Sequence, residues 1–133
     1  MANKVKPIPD GYHTVTPYLI INGAAAALEF YKKAFGATES LRMPGPNGKV
    51  GHAEIRIGDS IIMVSGAGAR ETMTAFLYVY VDDVDSTYQR ALQAGATSLE
   101  EPWDVLYGDR RGMVRDHWGN TWQIATHKED VSM

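Results

Sequence analysis

The chain repeats itself, and the repeat limits what it can fold into. Phe35-Gly-Ala-Thr38 is echoed by Ala94-Gly-Ala-Thr97, and Ile57-Gly-Asp-Ser60 by Trp118-Gly-Asn-Thr121. Each copy reads strand–helix–strand–strand–strand. In the first, Thr14–Ile21 reads as a strand, with Pro17 unable to donate to a ladder and so marking an edge or an irregularity. Asn22 suits the N-cap of a helix over Ala24–Ala34. Ala24, Ala27, Leu28, Tyr31 and Phe35 share one stripe of that helix, with Lys32 and Lys33 away from it, and Gly36 closes it. A strand over Thr38–Met43 and a turn at Pro46-Asn47-Gly48 follow. In the second copy, Ala75–Val81 is the strand, and Asp82–Asp85 offer caps for a helix carrying Val84, Tyr88, Ala91 and Leu92, which Gly95 ends. Thr97–Glu101, an irregular stretch around Pro102-Trp103, Arg111–Asp116 and a reversal at Gly119-Asn120 into Thr121–Thr126 complete it. Gly66–Thr74 reads as a linker, and residues 1–13, with Pro7, Pro9 and Gly11, as an extended arm.

One such unit is a short sheet with a helix on one face and nothing on the other. The expected fold is therefore α+β: two βαβββ modules, about residues 12–66 and 74–127, within one domain spanning 1–133. Side by side they would form a curved mixed sheet with helices outside and a concave cavity inside. The hairpin Val50–Ser65, reversing at Gly58-Asp59, alternates strictly: Ala53, Ile55 and Ile57 point one way, His52, Glu54 and Arg56 the other. Val15, Leu19, Ile55, Ile57, Leu77 and Val79 are assigned to the helix side. Thr14, Thr16, Tyr18, His52, Glu54, Arg56, Phe76, Tyr78 and Tyr80 are assigned to the trough, whose mix of aromatic and polar groups suits a small-molecule pocket.

Composition removes several functional classes. The formal net charge of −3 gives no basic excess for phosphate neutralisation, so no nucleic-acid partner is expected. No cysteine is present, which excludes disulfides, thiolate nucleophiles and Cys-ligated metal sites. No apolar run approaches membrane-spanning length and the start has no apolar h-region, so no membrane association and a cytoplasmic location are expected.

Leu28-Glu-Phe-Tyr-Lys-Lys-Ala-Phe-Gly36 and Val114-Arg-Asp-His-Trp-Gly-Asn-Thr-Trp-Gln-Ile124, set in the paired plan, resemble the glyoxalase/bleomycin-resistance/dioxygenase superfamily, the vicinal oxygen chelate fold. Val15–Leu19, Arg42–Pro46, His52–Ile55, Tyr107–Arg110 and Ile124–Val131 look like its PhnB-like branch. The resemblance implies fold more strongly than activity, because one fold hosts many chemistries. Metal-dependent members hold a divalent ion on the first and last strand of each unit. By motif those positions are Thr16, Met63, Phe76 and Gln123. Thr is a poor neutral ligand, Met is too soft, Phe cannot coordinate, and only Gln123 fits; no metal or other cofactor is expected there. His52 and Glu54 could share an ion if His127, Asp109 or a neighbouring subunit supplied a third ligand, or could simply bond each other or water.

Tyr107-Gly-Asp-Arg110 precedes a strand. Arg110 either clamps an anionic ligand or closes an internal ion pair that fixes the loop. Trp103 is either lid or core. Two functions follow. One is a metal-free binder of a small molecule, with contacts from Tyr18, Arg56, Phe76, Tyr78, Tyr80, Trp103, Tyr107, Arg110 and Gln123. The other is a glyoxalase-type lyase, isomerase or dioxygenase that uses a non-standard metal site or His52, Glu54 and Asp109 as acid–base groups. Exposed sheet edges and trough mouth lead us to expect a C2 homodimer, side by side or with crossed arms.

Overall fold

The computed structural model describes residues 5–66 and 71–132. In the first half β1 (Tyr18–Ile21), α1 (Ala24–Phe35), β2 (Thr38–Pro44), β3 (Val50–Ile57) and β4 (Ser60–Gly66) follow one another. The second half repeats the order with β5 (Phe76–Tyr80), α2 (Val84–Gln93), β6 (Thr97–Asp104), β7 (Asp109–Arg115) and β8 (Thr121–His127). The architecture is α+β and carries the two βαβββ modules that the repeat requires. Hydrogen bonding forms two four-stranded mixed sheets, ordered β1-β4-β3-β2 and β5-β8-β7-β6. In each, the first strand runs parallel to the last and the other pairings are antiparallel. An isolated antiparallel bridge between Ile20 and Met73 ties the linker to β1; residues 67–70 of the linker lie outside the described residues.

Several boundaries differ from expectation for local reasons. The strand expected from Thr14 begins at Tyr18, just past Pro17, and Val15, assigned to the core by alternation, is 82% exposed. The N-cap of α1 is Gly23 rather than Asn22. Its φ of 88° is left-handed, and no side chain caps the helix. In α2 the acidic cluster does supply the cap: Asp83 accepts from the Ser86 N–H at 3.2 Å. The irregularity expected at Pro102-Trp103 is absorbed as a register shift within β6, which continues to Asp104. β7 begins at Asp109, two residues before the stretch Arg111–Asp116 expected from the sequence.

One apolar cluster serves both modules. Ala53, Ile55, Ile62 and Val64 of the first sheet, Val114, Trp122 and Ile124 of the second, and the inner faces of α1 and α2 all belong to it. The stripe on α1 is broader than five residues: Phe30 and Ala34 are buried as well. Trp122 joins the halves. Its ring lies 4.6 Å from Phe35 and 5.3 Å from Tyr31, both on α1. Beside it the buried Asp116 accepts from Tyr31 Oη at 2.8 Å, Trp122 Nε1 at 3.0 Å, and the backbone N–H groups of Trp118 and Asn120. Burial and the neighbouring Asp116 push the Tyr31 hydroxyl far above its usual range, so it stays protonated as the donor. The face of each sheet away from the helices is left open, and the candidate functional groups stand there.

Candidate functional site

On the first sheet, period-two alternation sends His52, Glu54 and Arg56 of β3 to the open side. Glu54 is buried and His52 half-buried. His52 Nε2 lies 3.0 Å from Glu54 Oε2, and its Nδ1 lies 3.2 Å from Tyr18 Oη. The arm closes the row from above: the Tyr12 hydroxyl donates to Glu54 Oε1, and Gly11 sits against the Arg56 guanidinium. Burial pushes the Glu54 carboxyl up. The hydrogen bonds from His52 and Tyr12 outweigh that, and it rests below the usual range, ionised at neutral pH. A continuous chain of polar groups therefore runs Tyr18–His52–Glu54–Tyr12.

The open face of the second sheet is aromatic. Phe76 and Tyr80 of β5 are 67% and 62% exposed, and Trp103 of β6 is 47% exposed, so Trp103 belongs to this face and not to the core. Beneath the rings lies a second polar network. Asp109, only 3% exposed, accepts from Tyr78 Oη at 2.6 Å and Tyr80 Oη at 2.9 Å, and pairs with His127 Nδ1 at 2.8 Å. Burial raises the Asp109 carboxyl, but these three partners hold it below its ordinary value. His127 is raised in turn by Asp109 first and by Asp130 second, the latter 2.7 Å from its Nε2.

Arg111 occupies the middle of this face, beside Ala125 of β8 and Trp103 of β6. Its Nη1 donates to Tyr107 Oη at 3.1 Å and to Gln123 Oε1 at 3.2 Å, and its Nη2 to Glu100 Oε1 at 2.7 Å. The same Glu100 oxygen accepts from the Trp103 indole. Arg111 Nε is buried without an acceptor among the described residues.

The structure thus brings Tyr18, His52, Glu54 and Arg56 together on one sheet, and Phe76, Tyr78, Tyr80, Trp103, Tyr107, Asp109 and Gln123 on the other. Among the described residues no hydrogen bond joins the two networks. His127 and Asp109 pair with each other and not with His52 and Glu54. Arg110 stands apart. It points to the helix side, where it grips Asp85 of α2 through two bonds of 2.9 and 3.1 Å and reaches Asp104 at 3.3 Å. It closes the internal ion pair rather than an anion clamp. Sequence reasoning missed Tyr12, Glu100 and Arg111. Period-two alternation along β7 puts Asp109, Arg111 and Met113 in one row, a signal the sequence does hold. Tyr12 lies in a proline-rich arm with no periodicity to read.

The paired modules with open polar and aromatic faces define a class of protein. The sequence model of the Glyoxalase/Bleomycin resistance protein/Dioxygenase superfamily matches residues 12–124, and the chain belongs to that superfamily. An uncharacterised protein of Mycobacterium bovis is 37% identical over an alignment of 145 residues, spanning all of this chain and 91% of the relative. Among solved structures, TioX from Micromonospora sp. ML1 is 28% identical with a TM-score of 0.76, covering 86% of this chain and 98% of its own. A family enzyme from Burkholderia phytofirmans, 20% identical with a TM-score of 0.69 over 88% of this chain and 97% of its own, shares the fold.

The divalent ion that this membership implies does not fit the side chains present. Thr16 lies in the arm before β1, with its hydroxyl donating to the His13 carbonyl. Phe76 has no donor atom and Met63 offers only a soft thioether. Gln123 already accepts from Arg111, so a fixed positive charge stands against the one suitable ligand. A dication there would meet that guanidinium directly, and no step is assigned to a metal.

Proposed function

We propose that this protein binds a small planar organic molecule on its aromatic open face without the superfamily's metal ion, as a cytoplasmic member of the PhnB-like branch. The observation that carries this reading is the row Phe76, Tyr78, Tyr80 and Trp103, which presents π surfaces to solvent over hydrogen-bonded polar groups. Exposed rings with a polar floor give stacking area and a few fixed directional contacts, the usual composition of a ligand site. Two chains pairing over the open faces would enclose the ligand, since Met43, Leu41 and Tyr18 leave apolar surface exposed on the first sheet beside the arm. Light scattering at micromolar concentration returning the single-chain mass would remove that pairing.

Thermal shift with planar aromatic compounds tests the binding directly. Phe76 is 67% exposed and takes no part in the hydrogen bonds around Asp109, so Phe76→Ala is expected to keep the melting temperature of the free protein while weakening binding roughly three- to tenfold. Unchanged affinity would remove the aromatic face from the site. The Tyr18–His52–Glu54 chain supports a second reading, acid–base turnover of the bound molecule, because a buried carboxylate orients an imidazole that touches an exposed hydroxyl. Solvent deuterium entering a bound carbonyl compound, lost in His52→Ala, favours turnover; saturable binding without exchange favours the simple binder.

A further inference from the structure

We propose that Arg111 anchors an anionic ligand, so that the molecule held on the second sheet is a planar aromatic bearing a carboxylate or an equivalent oxyanion. This rests on the aromatic-face reading above and adds the ligand's charge and the residue that reads it. Arg111 is placed for the task. It lies on a central strand of the sheet, with Trp103 beside it on β6 and Tyr80 two positions across through Ala125. An oxyanion at the guanidinium would therefore have its aromatic body among exposed rings.

The state of the guanidinium supports an exchangeable partner. Three of its five N–H donors are used: two by neutral oxygens of Tyr107 and Gln123, and one by Glu100. The Glu100 contact is made through a single oxygen that also serves the Trp103 indole, and Glu100 is the more exposed of the pair, at 36% of its side chain against 17% for Arg111. The two-pronged geometry that arginine offers a carboxylate is thus left unused, with Nε lacking an acceptor. A ligand carboxylate takes that edge and displaces Glu100, while Tyr107 and Gln123 keep the guanidinium plane in position. The buried carboxylate of this face, Asp109, is committed to Tyr78, Tyr80 and His127 and does not compete. A fixed cation thereby does for the ligand's oxygen what a metal ion does by charge, without coordination chemistry.

The test compares 1-naphthoate with its neutral counterpart 1-naphthalenemethanol by calorimetry on the full chain. Wild type is expected to bind the acid at least tenfold more tightly than the alcohol. Arg111→Met should abolish that preference while leaving the alcohol within twofold, and Arg111→Lys should restore part of it. Glu100→Gln removes the competing carboxylate and should tighten the acid several-fold and the alcohol not at all, a gain that loss of a structural contact would not produce. Equal affinity of wild type for both probes, equal weakening of both by Arg111→Met, or weaker acid binding in Glu100→Gln would overturn the proposal while leaving the aromatic face intact. Failure of both probes to bind wild type would overturn the aromatic-face reading as well. Should Arg111→Met not fold, the Lys and Gln variants decide the matter alone.

Discussion

Asp109 is buried at the head of β7 and still held ionised by its partners, which ties the two Tyr hydroxyls and His127 to pH. His127 holds its proton more tightly folded than unfolded, because Asp109 and Asp130 both face it. Its contribution to stability is complete below its ordinary value near 6.5 and is lost as pH rises through the higher folded value. Asp109 acts in the opposite sense: its contribution is complete above its ordinary value near 3.8 and is lost as pH falls through the lower folded value. Urea unfolding at pH 6 and pH 9 should therefore show wild type losing stability toward pH 9, and His127→Gln losing less. An identical decline in both would mean that the imidazolium pair contributes nothing. At this scale the sequence was half legible. Alternation places His52, Glu54, Tyr78 and Tyr80 on their faces, but the loop motif Tyr107-Gly-Asp-Arg110 points to Arg110, whose guanidinium turns to the helix side, while Arg111 stands on the open face.

Among the elements, the loop between β6 and β7 carries the most functional weight, since it supplies Tyr107 and delivers the chain to Asp109 at the start of β7. Gly108 shapes it. Its φ of 94° is left-handed, and its carbonyl accepts from the N–H groups of Lys128 and Glu129, which seats the C-terminal segment against the loop. A Cβ on Gly108 would run into the Glu129 carbonyl oxygen. Gly108→Ala is expected to cost about 1–3 kcal/mol and to weaken aromatic binding with it, read by denaturant titration and thermal shift. A neutral substitution would show that the loop is not fixed there. Strong periodicity made both helices and the β3–β4 hairpin readable. The ends of β1 and β6 were not, because Pro17 stops one strand while Pro102 is accommodated in the other by a register shift, and local sequence does not say which outcome a proline takes.

For the whole molecule, duplication was the most informative signal, and it foretold both modules. What holds them to each other was invisible in the sequence: Tyr31 of the first half meets Asp116 and Trp122 of the second, with Tyr31 and Asp116 85 positions apart along the chain. That shared core carries the second open face, where Gln123, the one of the four family ligand positions with suitable chemistry, already accepts from Arg111. The most direct measurement is a calorimetric titration of 1-naphthoate into protein stripped with EDTA, repeated after reloading with manganese or nickel. The expected result is the same affinity within twofold in all three states. Binding that appears only after reloading would contradict a site built from aromatic rings and a guanidinium.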